Sequence, residues 1–311
     1  MDGELGGGAR AGFARALARR ISRCAAGERA EARLPAERVL WGLAQTGRAA
    51  RLVATDRALL RASLWPTALT FLGSAALAAL VAHAEDGRFF RAAFASFVAI
   101  SSMPPTLLWR QWVRVGLEAR RAAGAAPGEE ERPGERYHRI VVRELVKAGR
   151  QAAAVAVGIA PVALLVELVP FVGHGVTVAL GAAWAWYWVA LDALEIPTEL
   201  VPGRRGRGGR TWFERGLATL AGRSRLTAPL RWAARFSGWL ARPWRHEVAF
   251  TRRHRWETAG FALAAVAFLA IPVVGVFFRA VAITAATILV CELDPPARAP
   301  DVSEGAKGTD G

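Results

Sequence analysis

The chain has 311 residues, 53% hydrophobic and 22% charged, with a formal net charge of +15. Its hydrophobic residues are clustered rather than periodic, a membrane pattern, while the basic excess suits nucleic acid, anionic lipid or cytoplasmic loops. Cys24 and Cys291 lie too far apart to suggest a disulfide framework or a metal site, the five histidines are dispersed, and no phosphate-cradling loop occurs; neither enzyme nor cofactor is expected.

Residues 1–61 read as a basic cytoplasmic N-terminal region. Phe13, Leu17 and Ile21 recur at helical spacing among arginines, which fits either a solvated helix or an anchor on anionic lipid. A second helical pattern runs from Pro35 to Arg61. It leads into Trp65–Ala84, an uninterrupted apolar run predicted to be the first full span, with Trp65 at the interface. After the polar turn Glu85–Arg88, Ala92–Trp109 reads as the second span. Ser101-Ser102-Met103-Pro104-Pro105 interrupts it, as a kink or as an unwound ligand-contact segment.

Residues 110–150 read as a basic cytoplasmic connection. The block Gln151–Leu191 then holds a hairpin turning at Val169-Pro170-Phe171-Val172-Gly173. Glu167 and His174 flank that turn; they are either wet at an interface or a proton-relay pair inside the bilayer. Residues 203–256 form the most basic connection. Its Arg/Gly tract 204–210 is assigned to cytoplasmic retention, and no nucleic-acid partner is expected. Trp232, Phe236, Trp239 and Leu240 share one helical face, with Arg231 and Arg235 beside it. Such a helix lies in the headgroup zone or docks on the protein's own bundle.

Residues 258–291 carry a single charge, Arg279, in a long apolar run broken at Ile271-Pro272-Val273-Val274-Gly275. Proline removes a donor, and glycine permits a turn. Each arm is expected to have about 14–16 residues, roughly 21–24 Å of helix and short of a ~30 Å hydrocarbon core. One tilted, kinked span and a re-entrant hairpin both remain open, the turn favouring the hairpin. The break lies 102 positions after the one at Val169–Gly173. At that offset Gly158 also meets Gly260 and Ala183 meets Ala285, which suggests two related hairpins. Arg279 needs water, phosphate or a carboxylate, by snorkelling to the far interface or by contacting an anion at the tip, with His174 in support.

Basic residues crowd 1–61, 110–150 and 203–256, so the positive-inside bias puts both termini and the long loops in the cytoplasm. The expected architecture is an all-α polytopic membrane protein of helical hairpins, mixing full spans with at least one partially penetrating hairpin. Its membrane domain is 62–291, with hairpins 65–109, 151–191 and 258–291, and a polar tail, 292–311, is expected to be disordered.

Arg253–Leu289 resembles the CysZ/etoposide-induced-protein family of membrane proteins. Gly260-Phe261, Ile271-Pro272, Val281-Ala282 and Ala286-Thr287 carry the resemblance, with Ala280 where the family has proline. Arg143-Glu144-Leu145, the stretch from Ala190 to Pro197, and Trp65-Pro66 extend it over most of residues 45–291. The resemblance implies an oligomeric permease of a bacterial inner membrane, with sulfate as the family's substrate. The family's Gly-Leu-Arg-Arg anion motif matches Ala58-Leu59-Leu60-Arg61 only at Leu59 and Arg61, so the expectation is the broader one of a small inorganic anion.

The expected anion pathway comprises Arg61, Ser101, Ser102, Glu167, His174 and Arg279. Pro170, Gly173, Pro272 and Gly275 are the structural turns. Trp232, Phe236, Trp239, Arg231 and Arg235 form the lipid interface. A non-transporting membrane organiser gripping anionic lipid or protein partners is the competing function.

Overall fold

The computed structural model describes residues 34–83, 108–125, 137–154, 164, 166–169, 173–201, 209–223, 227–269 and 271–294. Among them there is no strand, and the chain is all-α. The helices are α1 (Pro35–Thr55), α2 (Arg57–His83), α3 (Trp109–Ala122), α4 (Tyr137–Ala154), α5 (Gly173–Glu199), α6 (Trp212–Arg223), α7 (Thr227–Leu240), α8 (Arg245–Arg253), α9 (Arg255–Leu269) and α10 (Pro272–Leu293). Arg57–Val81, Gly173–Glu199 and Val273–Leu293 are long and apolar enough to cross a membrane.

α9 and α10 settle the choice between kinked span and hairpin. Arg253, just before α9, meets Asp294, just after α10, at 3.2 Å. At the other end Phe268 stacks on Phe278 with ring centroids 4.5 Å apart. Phe261 and Leu289, both fully buried, share one core cluster. A continuous helix would hold those two residues roughly 40 Å apart at 1.5 Å per residue. The chain therefore turns back on itself at Ile271.

The turn corrects two expectations. The second arm has 22 residues, not 14–16, because Pro272 occupies the first helical turn, where its missing N–H costs nothing. Gly275 lies inside that helix instead of in the turn. Its role is steric: a Cβ there would stand 2.8 Å from the Leu269 carbonyl oxygen. The earlier turn repeats this geometry. Val169 donates to Val166 and Gly173 to Val169, both at 2.9 Å; 102 positions later Ile271 donates to Phe268 and Gly275 to Ile271, at 3.3 and 2.6 Å. A Cβ on Gly173 would crowd Glu167 as one on Gly275 would crowd Leu269, six residues back in each case. The described residues of the two turns thus match in their hydrogen bonds and in their close-packed glycine.

α1 belongs to the core. Pro35 starts it, and Glu37 reaches back to the Leu34 N–H at 3.2 Å. Its buried face, Trp41, Ala44, Gln45 and Ala49, packs on α9 and α10. Arg48 pairs with Glu292 at the far end of α10. Asp56 then separates α1 from α2 and caps the latter by accepting from the Leu59 N–H at 2.9 Å. The Leu59 N–H, helped by Arg121 at 3.0 Å, holds the Asp56 carboxyl below the usual carboxylate range.

Inside the expected connection 110–150, α3 buries Trp109, Trp112, Val115 and Ala119 on one stripe. These residues join Leu59 of α2, Ile196 of α5 and Ile283 of α10 in a second core cluster. Trp109, expected to end the second span, instead begins α3; residues 84–107 lie outside the described ones, as do 1–33 with Phe13, Leu17 and Ile21. α6, α7 and α8 occupy the connection 203–256.

The apolar surface is distributed unevenly. α2 exposes Leu64, Trp65, Leu72, Leu77 and Leu80; α5 exposes Val176 and Val178; the hairpin exposes Leu263, Phe268, Ile271, Val274 and Phe277. Phe71 of α2 meets Phe277 at 5.7 Å, and Ala78 packs on Val276, so the α2 and hairpin faces meet near the hairpin tip. Lower down, α1 covers the hairpin, and 67% of the most apolar stretch of α10 is buried within the protein.

Candidate functional site

Arg279 lies on α10 two turns from its start. The groups beside it come from helices far away in sequence. A cavity of about 40 Å³ is lined by Arg279, by Asp192 and Glu195 of α5, by Trp109 of α3, and by Leu269 and Ile283. That volume holds no more than a few waters. The charge of Asp192 acts on Arg279 across it. Helical spacing puts Asp192 and Glu195 on one face of α5, and Glu195 is ion-paired with Lys147 of α4. Lys147 and Arg143 also stand over the Trp109 ring, 5.3 and 5.4 Å from its centroid. Two carboxylates, Asp192 and Glu195, thus stand among three cations, Arg279, Lys147 and Arg143.

A further carboxyl lies beyond this cluster. Thr198 donates to Glu247 of α8 at 2.7 Å. Burial pushes the Glu247 carboxyl up to about 7, against hydrogen bonds from its backbone and from Thr198 that favour the charged form. Its second oxygen has no hydrogen-bond partner among the described residues.

Of the expected anion-pathway residues that are described, only Glu167 and His174 meet each other. Arg61 is exposed on α2 and does not line the cavity. Ser101 and Ser102 lie outside the described residues, as does Pro170. Glu167 and His174 do meet, at 3.3 Å, but at the exposed turn preceding α5 and away from Arg279. His174 therefore does not support Arg279; the two turns are equivalent in the repeat yet not adjacent at their charged residues. The role of support falls to Asp192.

Sequence reading missed Asp192, Glu195 and Lys147 as members of the site. The available signal was the i, i+3 pair of acids continuing the apolar face of α5, with Arg279 as the one opposite charge in an apolar run. Trp232, Phe236 and Trp239 do form a ladder on α7, with centroids 5.2 and 5.8 Å apart. Trp232 and Trp239 are exposed, while Leu240, expected on the same face, is buried against Trp188 and Trp244. Arg231 and Arg235 are exposed beside the ladder. Among the described residues no three His, Cys, Asp or Glu side chains converge as metal ligands would.

Comparison with protein-family models, with curated proteins and with solved structures returns no match. The resemblance to the CysZ/etoposide-induced-protein family rests on the residues quoted for it.

Proposed function

We propose that this chain is a polytopic membrane permease for a small inorganic anion, similar in type to the CysZ family, with its basic helices on the cytoplasmic side of a bacterial inner membrane. The carrying observation is the Arg279–Asp192 couple at a water-sized cavity between apolar helices. Charges at such depth are expensive, and they commonly mark ion pathways or proton relays. In this reading an incoming anion competes with Asp192 for the Arg279 guanidinium. Glu195 does not substitute, because Lys147 already holds it.

Membrane depth is part of the same proposal. Arg279 lies seven residues beyond Pro272, roughly 10 Å of helix, while neighbouring Asp192 lies nineteen beyond Gly173, roughly 28 Å. α5 thus reaches well past the tip of the α9–α10 hairpin, which supports α2 and α5 as full spans and the hairpin as partially penetrating.

Proteoliposome flux across several small anions, sulfate included, tests the proposal. Flux should weaken in Arg279→Lys and vanish in Arg279→Gln. Full flux from correctly inserted Arg279→Gln protein excludes Arg279 from the pathway. Absence of flux for every anion from folded wild-type protein leaves the non-transporting organiser.

A further inference from the structure

α6 and α7 pack side by side, and between them and the short turn Arg242–Trp244 lies an open cleft of about 1000 Å³. Its charge is lopsided. Arg210, Arg231, Arg235, Arg242 and Arg245 face it, against the single carboxylate of Glu214. That carboxylate is already committed. It accepts from the Thr211 N–H at 3.3 Å, closing a reciprocal cap at the start of α6, and it stands 3.6 Å from Arg245. Among the described residues Arg210, Arg235 and Arg242 have no ion-pair partner, and the sheltered Nε–H of Arg245 has no acceptor. Among the described residues no carboxylate pairs with Arg210, Arg235 or Arg242.

The shape of the cleft favours a ligand over accidental crowding. Arg231 and Arg235 lie on one face of α7, with Ala234 beside them, and Arg242 follows in the turn after it; α6 opposes them with Ala218, Ala221 and Gly222. Small residues make the floor and guanidiniums the walls. Guanidinium forks match phosphate oxygens bidentately, and like charges crowded around one space favour the entry of an anion. Trp239 lines the cleft and also ends the exposed aromatic ladder.

We propose that this cleft binds a phosphate-bearing ligand through Arg235, Arg242 and Arg245. The proposal goes beyond anion transport and does not depend on it, since the cleft shares no residue with the Arg279 cavity. The phosphate can come from the headgroup of an anionic phospholipid or from a soluble phosphoanion, and the experiment separates the two.

The full chain is reconstituted in phosphatidylcholine nanodiscs and titrated with inorganic pyrophosphate by equilibrium dialysis. In parallel, nanodiscs containing spin-labelled phosphatidylglycerol report the immobilised lipid fraction. The variants are Arg235→Gln with Arg242→Gln in the cleft and Arg114→Gln with Arg252→Gln as a control removing equal charge from exposed sites elsewhere. Circular dichroism and melting check that both fold. The expected result is at least a tenfold loss of binding for one probe in the cleft variant, with the control unchanged. Pyrophosphate binding in neutral lipid identifies a soluble ligand; immobilised phosphatidylglycerol alone identifies a headgroup. Arg235→Lys with Arg242→Lys should retain part of the binding, because charge survives while bidentate geometry is lost. No binding of either probe by wild-type protein overturns the proposal, as does equal loss in cleft and control variants.

Discussion

Gly42 of α1 and Gly260 of α9 face each other's helix reciprocally. The α-carbon of Gly42 lies against the Glu257 carbonyl, and that of Gly260 against the Val39 carbonyl, so a methyl group on either would collide with backbone. The helices approach backbone to backbone, as small residues allow in tightly packed membrane-type pairs. Through this contact a helix with polar, arginine-bearing outer turns is fixed against the apolar hairpin. Phe261, one residue on, is fully buried beside Trp41, and burial of such a side chain contributes about 1.5–3 kcal/mol.

Gly260→Ala should therefore destabilise the protein. Overpacking costs about 1–3 kcal/mol, against at most ~1 kcal/mol gained in helix propensity. Gly47, on the same helix as Gly42, faces open space, so Gly47→Ala should raise stability by about 0.5–1 kcal/mol. Melting of both variants in detergent checks the contrast. Equal shifts of the same sign would show that the α1–α9 approach does not limit stability.

Much of this architecture is legible in the sequence, and the rest is hidden for identifiable reasons. Apolar run length locates α2, α5 and the hairpin, and Ile271-Pro272 locates the break. The repeat is visible at Val169–Gly173 and Ile271–Gly275 because both stretches carry the same proline and the same close-packed glycine. α1 reads as a cytoplasmic segment, since arginines dominate its hydropathy while Gly42 and Ala49, which decide its packing, carry almost no hydropathic signal. Asp192 and Arg279 are 87 positions apart, and spacing rules see only neighbours within a few helical turns. The arginine cleft escapes for a related reason: its charge pattern is readable, but the pairing of α6 with α7 that encloses it is tertiary.

Glu247 should give stability a distinctive pH dependence. Its carboxyl ordinarily titrates near 4.5, and burial raises it to about 7 in the fold. Between those values the folded state holds a proton that the unfolded chain has released. The resulting stabilisation is complete below pH ~4.5, falls as pH rises and is lost above pH ~7, a span of roughly 3 kcal/mol at most. Glu247→Gln keeps the acceptor for Thr198 and removes the charge. Melting of wild type and variant from pH 4 to 8 should diverge, with the variant the more stable at high pH. Parallel curves would show that Glu247 does not titrate in this range.

Val274 reports the depth of the hairpin. It is exposed at the second residue after Pro272, on a tip whose uncovered apolar surface extends only about 10 Å along each arm. A spin label at Val274 should relax more with lipid-soluble oxygen than with an aqueous relaxant, as expected inside hydrocarbon. Dominance of the aqueous relaxant would mean that the tip has crossed to the far side, and the partially penetrating geometry would be withdrawn.

Arg279 and Asp192 can be tested as a pair without measuring transport. Removing one member of a buried pair of opposite charges costs about 3–5 kcal/mol when burial is complete, and less for Arg279 and Asp192, which are both part-exposed. Replacing both with neutral side chains of similar size costs far less, because neither charge then needs solvation. Arg279→Gln and Asp192→Asn should each lower the melting temperature, and the double variant should recover most of the loss. The coupling follows from the double-mutant cycle, and for groups sharing one cavity it should exceed the ~0.5 kcal/mol typical of independent sites. Lys147 supplies the control: it is engaged by Glu195, so Lys147→Gln combined with Arg279→Gln should be closer to additive. If the double variant of Arg279 and Asp192 is as unstable as the sum of the singles, the two charges do not compensate each other, and the proposed competition between Asp192 and an anion loses its basis.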